Sequence, residues 1–451
     1  LAMRLEVNSG KYIEYVYTLQ GNTFLVDLDV NTHGMQQEIA ANVNRFDIHW
    51  QHDVPRQEKD LKNERINTTI FYHYMEDGET DHLSMNDEDD KNLEAKTSWI
   101  GMKQQFFTSA LLCKEGFEKP IGLSVKPYEE GEEKYLKQVT AELSIPYDHQ
   151  EKESQHLQFY FGPNHYKTLQ SMDVGMENII PLGWAVFKWV NKYCVIPVFH
   201  FLDSFNMSYG VIILLLTLLI KLVLFPLTFK TYLSGAKMRI LKPELEELNK
   251  KFKPEEAMKK QQATMALYRQ AGVNPLGGCI PMLLQMPILY ALFRFFPASI
   301  ELRQESFLWA TDLSTYDSIM TLPFKIPMYG DHVSLFTLLM TASIFLTMKY
   351  NTGQYGGNEQ MAKQMKIIMY IMPISFMCFL NNYSSGLTYY YFTANMITFF
   401  QQFIIKKFVD EDEIHRKMQE NKKKPASQKK SKFQQRLEEM AKQRGIDPSK
   451  R

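Results

Sequence analysis

Residues 209–227 form a run of 19 positions, nearly all apolar, with a single charged side chain, Lys221. At about 1.5 Å per residue, such a helix covers the ~30 Å hydrocarbon core of a bilayer. Residues 280–296, 333–348 and 387–405 have the same character, and 367–380 reaches span length once Met365 and residues 381–383 are counted. Pro287 and Pro373 lie inside such runs, where neighbouring helices satisfy the freed carbonyls. The expected fold class is a multi-domain membrane protein with an α-helical bundle of five transmembrane helices. A mean hydropathy of −0.30 hides this because it averages two unlike halves.

The first half is acidic and reads with period two. Up to Pro163 there are 16 Lys/Arg against 29 Asp/Glu (net −13), and the remainder carries 35 against 22 (net +13). Residues 12–17, 23–30, 67–75, 139–145 and 156–161 are rich in Tyr, Phe, Val, Ile and Thr and bounded by turn residues, so strands are expected. Many short strands with polar turns predict a β-sandwich over residues 1–178. The acidic run 85–90 lacks the spacing and glycine of an EF-hand and reads as a solvated loop. The chain opens at Leu1 within strand-like sequence, and an upstream export or anchoring segment is expected.

Residues 179–205 carry Trp184, Trp189, Tyr193, Lys188 and Lys192, a mixture that suits an amphipathic helix lying in the membrane interface. A buried helix of the soluble domain is the alternative. Within the core of residues 206–407, the stretch 229–272 reads as a helical hairpin, with Leu241, Leu245, Leu248 and Phe252 on one stripe and Met258, Met265 and Tyr268 on another. Lys253-Pro254-Glu255-Glu256 marks its break. The hairpin holds ten Lys/Arg against five Glu. Residues 408–451 form a basic polar tail, expected to be mostly disordered. Basic connections prefer the cytoplasm. With five spans, that places the hairpin and tail inside and the acidic domain outside.

Lys221 is the leading candidate for chemistry. An ionisable group in hydrocarbon costs ~2.5–3.5 kcal/mol on insertion scales, so by default it marks a functional site. Snorkelling of its stem toward the headgroups is the competing reading. Thr217 lies one turn earlier, and Gln285, Asn395, Gln401, Gln402, Tyr389, Tyr390 and Tyr391 add polar company. These side chains fit either a wet cavity or ordinary interhelical hydrogen bonding. Arg294 reads as an interface anchor. No HExxH, GxSxG, Walker or GxGxxG pattern is present, so neither an enzyme nor a cofactor is expected. Cys113, Cys194, Cys279 and Cys378 are scattered without zinc or disulfide spacing and read as small buried hydrophobes.

Phe225-Pro226-Leu227-Thr228, Ala236-Lys237-Met238-Arg239, Asn274-Pro275-Leu276-Gly277-Gly278-Cys279, Gln285-Met286-Pro287 and Ser385-Gly386-Leu387 occur in an order and spacing that resemble the YidC membrane-protein insertases. The likeness runs over residues 179–407, and the acidic domain is similar in position and character to the large periplasmic domain of the Gram-negative members. Those members begin with an extra span ahead of that domain, which would be the upstream segment expected above. The resemblance implies an inner-membrane protein that takes hydrophobic segments of nascent membrane proteins through a hydrophilic groove into the lipid bilayer. It would act as a monomer, alone or with the Sec translocon, with ribosome contact through tail and loops. It also implies a groove lined by Lys221, Thr217, Gln285, Met286, Tyr390 and Tyr391. Family members usually carry arginine where Lys221 stands, and proline where Ser384 stands, so a looser outer turn is expected there. A secondary transporter or channel is the alternative, but it would call for related halves, and no internal repeat is visible.

Overall fold

The computed structural model describes residues 1–129, 131–252, 256–273, 280–351 and 359–423. The chain divides into two compact units: Leu1–Thr217 with Pro287–Thr341 and Ser375–Thr393, and Leu218–Met286 with Ala342–Ile374 and Ala394–Arg451.

The first unit begins with a β-sandwich. Its strands are β1 (Ala2–Asn8), β2 (Lys11–Leu19), β3 (Leu25–His33), β4 (Arg45–Pro55), β5 (Thr69–Tyr74), β6 (Thr80–His82), β7 (Asp89–Leu93), β8 (Thr97–Lys103), β9 (Phe107–Phe117), β10 (Ile121–Pro127), β11 (Tyr135–Pro146) and β12 (Lys152–Pro163), with a short helix, α1 (Leu61–Ile66), between β4 and β5. Eight form one sheet in the order β1-β2-β3-β12-β9-β8-β5-β6, and four form a second in the order β4-β11-β10-β7. All five strand runs read from the sequence fall on observed strands. Successive strand side chains point to opposite faces. Hence β3 buries Leu28, Val30 and Thr32 while β10 buries Ile121, Leu123 and Val125, and the two inner faces share one apolar core. The acidic run ends in β7, where Asp89 accepts from the Ser84 amide.

Strand β8 is buried along almost its whole length. The indole N–H of Trp99 donates to the Val174 carbonyl, in the segment that follows α2 (Tyr166–Ser171). Lys103, only 1% exposed, shares this strand and donates to the Asn67 carbonyl at 3.0 Å. Burial, with a smaller push from the charge of Arg294, lowers its pKa to about 7. An unfolded lysine titrates near ~10.4, so between the two values the unfolded chain holds a proton that the folded one lacks, and stability rises with pH across that window. Below it, the cost of the buried ammonium is fully present. Lys103→Met should therefore change the thermal midpoint most favourably near neutral pH, by up to about 2 kcal/mol more than near pH 9. Loss of the Asn67 bond subtracts about 1 kcal/mol at every pH. Melting curves of both proteins at the two pH values read this out; a pH-independent difference would mean that folding leaves the Lys103 pKa unshifted.

After the sandwich, α3 (Val186–Val190), a π-helical turn at Asn191–Val195 and α4 (Ile196–Asp203) form one continuous rod. Trp184, Trp189, Tyr193 and Phe201 are exposed along it, while Val190, Val195, Ile196 and Phe199 are buried. That two-sided character matches the sequence reading. At the π turn Asn191 is fully buried, and its amide donates to the carbonyls of Leu182 and Ala291. Cys194 is exposed, contrary to the expectation of burial.

Each apolar run coincides with a helix: α5 (Tyr209–Val223), α8 (Ile280–Ala298), α9 (Leu335–Asn351), α10 (Glu359–Leu380) and α11 (Ser385–Phe408). Among the described residues no single helix is long and apolar enough to cross a membrane, although α5 and the segment Phe225–Leu248, bent by 60°, pass that test together. The bend corrects the first run, which was expected to continue to residue 227. Pro226 sits in the first turn of α6 (Phe225–Lys251), where its ring and missing N–H break the ladder behind it.

In the first unit, β13 (Met320–Ile326) and β14 (Gly330–Val333) pair as a hairpin ahead of α9. The turn before α11 is not loose, contrary to expectation. Ser384 is 3% exposed and its hydroxyl donates to the Leu313 carbonyl at 2.7 Å, while the amides of Ser385 and Gly386 donate to Thr315 and Leu313. A hydroxyl thus ties down what a proline ring would have stiffened. A Cβ on Gly386 would stand 3.0 Å from that same Leu313 oxygen, which accounts for glycine there.

The second unit contains the hairpin, α6 with α7 (Ala257–Ala271), as read from the sequence. Leu241, Leu245 and Tyr268 are buried between its arms, but Met265 is 41% exposed and not part of the core. Lys253, Pro254 and Glu255 lie outside the described residues. The tail is not wholly irregular: α12 (Glu411–Lys423) packs Met418 and Ile414 onto the hairpin. Asp410 caps α12 by accepting from the amides of Asp412 and Glu413, and acidic residues fill its first turn. Arg239–Glu411 at 2.9 Å and Lys422–Glu244 fasten it to α6. Lysines 424, 429 and 430 lie outside the described residues.

Candidate functional site

Lys221 lies near the C-terminal end of α5 and is 5% exposed. Among the described residues no carboxylate pairs with it. A buried ammonium without a counter-ion leaves its charge available to whatever anion reaches it. Gln401 on α11 donates to the Lys221 carbonyl at 3.2 Å. The side-chain oxygens of Gln401 and Gln402 are buried and have no hydrogen-bond partner among the described residues. Unsatisfied buried acceptors are uncommon in folded proteins. Both glutamines lie on α11, whose Gln401 reaches the backbone of Lys221, and the bonding capacity of their side-chain oxygens is unused among the described residues. Asn395, by contrast, donates to Ser343 on α9 at 3.2 Å, the ordinary interhelical role.

The other predicted residues divide between the units. Gln285 and Met286 fall in the second unit with Lys221, and Met286 is 47% exposed. Thr217, Tyr390 and Tyr391 belong to the first. Thr217 is buried and donates back to the Ile213 carbonyl at 2.6 Å within its own helix. Tyr390 is fully buried, packs against Phe296 and edge-on to Tyr391, and its hydroxyl has no partner among the described residues. Arg294 donates to the Pro181 carbonyl at 3.3 Å, an anchoring role.

A feature not singled out from the sequence is a basic cavity of about 630 Å³ in the second unit, lined by Tyr232, Arg239, Leu346, Lys349, Phe399, Lys406 and Glu411. Arg239 comes from the Ala236-Lys237-Met238-Arg239 motif and lies 5.3 Å from the centre of the Tyr232 ring. Lys349 and Lys406 come from the last turns of α9 and α11, where lysine also complements the helix dipole. Three cations and one carboxylate line the cavity, with Arg239 paired to Glu411 at 2.9 Å, so the lining is net positive. The sequence signal was present as lysines ending two apolar runs, but only the packing of those ends brings them together.

Comparison with known proteins places this geometry. Residues 1–195 match the model of the YidC periplasmic domain, and residues 201–413 match that of the 60Kd inner membrane protein family. The membrane protein insertase YidC of Parabacteroides distasonis is 45% identical over 450 residues, covering 97% of this chain and 70% of the relative. The chain belongs to the YidC insertase family. The Bacteroides fragilis YidC insertase is likewise 45% identical, over 98% of this chain and 72% of its own length. That of Porphyromonas gingivalis is 39% identical, over 98% and 72%. Set in the YidC family, the acidic β-sandwich is its periplasmic domain and the helical region its membrane-protein part.

Proposed function

We propose that the chain inserts hydrophobic segments of nascent membrane proteins into the bacterial inner membrane, using the Lys221 ammonium to receive acidic flanks of the incoming chain. The observation that carries this is a buried amine in an apolar helix, with no carboxylate partner among the described residues. In this reading α5 and α8–α11 are five spans, the β-sandwich is periplasmic, and the hairpin and basic tail are cytoplasmic. The basic cavity of the second unit attracts anionic parts of the client before insertion. Burial of the client's apolar segment in lipid supplies the driving force, so no nucleotide is needed.

Client contact is assigned to Lys221, Thr217, Gln285, Met286, Tyr390 and Tyr391 on the family resemblance. The lysines of the hairpin and tail suit ribosomal RNA phosphates, and the Sec translocon is an optional partner. A transporter or channel is not favoured, since the relatives are insertases and no repeat supports it.

Photo-crosslinkers at positions 221, 286 and 391 should capture a ribosome-stalled nascent membrane protein, and the insertase should co-sediment with that ribosome. A crosslinker at Met328, 88% exposed in the β13–β14 turn, should not capture the nascent chain. Equal capture at all four positions, or none, would sink the assignment.

A further inference from the structure

His165 immediately precedes α2, His200 sits on α4, and Glu301 lies in the turn after α8. Glu301 Oε1 stands 3.5 Å from His165 Nε2 and 3.9 Å from His200 Nε2, and the three ligand atoms all lie within 4.8 Å of one another. These separations exceed the roughly 2.7–3.2 Å of a hydrogen bond, so three polar groups converge without bonding one another. Two of them are well removed from solvent: the His200 and Glu301 side chains are 7% and 13% exposed. A cavity of about 10 Å³, lined in part by His200, Ser299 and Glu301, adjoins them. That is close to the volume one water-sized particle requires.

The surroundings are arranged as a ligand shell requires. His165 Nδ1 lies 2.8 Å from the Thr168 hydroxyl, a contact that leaves Nε2 free to face the cluster. Ser299 donates to Glu301 Oε2 at 2.7 Å, leaving Oε1 for another partner. Hydrogen bonds of this kind, from groups behind the ligands, fix the orientation of metal ligands.

We propose that His165, His200 and Glu301 form a three-ligand site for a divalent transition-metal ion, with the fourth position open to water. Two imidazoles and one carboxylate suit zinc. Bonds of ~2.0–2.1 Å in a tetrahedron place ligand atoms about 3.3 Å apart, a contraction of at most about 1.5 Å from the present spacing. The three ligands belong to the end of the β-sandwich, the aromatic helix α4 and the turn after α8. A bound ion therefore cross-links three segments distant in sequence and stabilises their arrangement in proportion to its binding. Cysteine spacing could not have revealed the site, because none of its ligands is a thiol.

The test uses the full chain in detergent, stripped with EDTA and titrated with zinc chloride. One equivalent should bind, and the thermal midpoint should rise with zinc concentration. Cobalt in its place should give the visible absorption of a low-symmetry four-coordinate site. His165→Gln and Glu301→Gln should each weaken zinc affinity about 100-fold or more, and Thr168→Ala about 10–100-fold through its hold on His165. His156→Gln, on β12 beside Asp27 and Asp29, should leave the affinity unchanged. Midpoints in EDTA report whether each variant folds; where one is impaired, Thr168→Ala decides. No stoichiometric zinc, or unchanged affinity in all three cluster variants, overturns the proposal.

Discussion

Lys221→Glu should reduce insertion of clients with acidic flanks to background in reconstituted vesicles, while Lys221→Arg should retain most of it. Removing the cation withdraws an attraction, and placing an anion there adds a repulsion. Two charges ~4 Å apart interact by about 4 kcal/mol at an effective dielectric constant near 20. Losing even three-quarters of that from the barrier slows insertion more than about 100-fold. Lys221→Gln should fall between, and clients with neutral flanks should be affected far less by any of the three changes. This pattern separates the groove charge from snorkelling: a lysine serving only to reach headgroups would be replaced by Gln at little cost and with no dependence on the client's charge. Equal insertion of acidic and neutral clients by the Lys221→Glu protein, with its thermal midpoint intact, would remove Lys221 from the mechanism. The arginine variant addresses the position at which the family resemblance leads one to expect arginine. A lysine offers a point charge and arginine a planar fork, so similar activities would mean that the client's carboxylates are attracted without being held in a fixed geometry.

The parts legible in the sequence were those whose physics is local. Period-two alternation in β3 and β12 follows from strand geometry alone, and the apolar runs that became α5 and α8–α11 from length and composition. Lys221 was visible because one charge among so many aliphatic side chains has few explanations. The bend at Leu224 was less visible, since Pro226 only displaces a break that the apolar run conceals. Helix α12 was missed because its helix-forming information lies in Asp410, Ile414 and Met418, dispersed among lysines that dominate composition. The basic cavity and the His165, His200 and Glu301 cluster depend on long-range packing, which no spacing rule reports. Asp317 belongs with these, an unremarkable acid in a loop until its partners are counted.

Asp317→Ala should be among the most destabilising single changes outside the sandwich core. The carboxylate is 3% exposed and accepts from the Trp309 indole at 2.8 Å, from the Ser334 hydroxyl, and from the amides of Leu335 and Phe336 at 2.9 and 3.1 Å. Two of those amides open α9, where unpaired N–H groups and the helix dipole favour an anion. Alanine would strand several buried donors at about 1–3 kcal/mol each, and relaxation with water entry would reduce the total to roughly 3–5 kcal/mol. Against a stability of ~5–15 kcal/mol for a typical domain, that is a large share. Asp317→Asn keeps one acceptor oxygen and should recover part of the loss. The loss should be localised. The β13–β14 hairpin reaches α9 through Ser334, and His332 and Asn381 exchange hydrogen bonds beside it. Limited proteolysis should therefore cut Asp317→Ala between β13 and α9 well before the β-sandwich. Resistance equal to that of the parent chain, with an unchanged midpoint, would show that water replaces the carboxylate at no net cost, and the start of α9 would then owe its order to packing of Phe336 against Trp309 and Tyr389 instead.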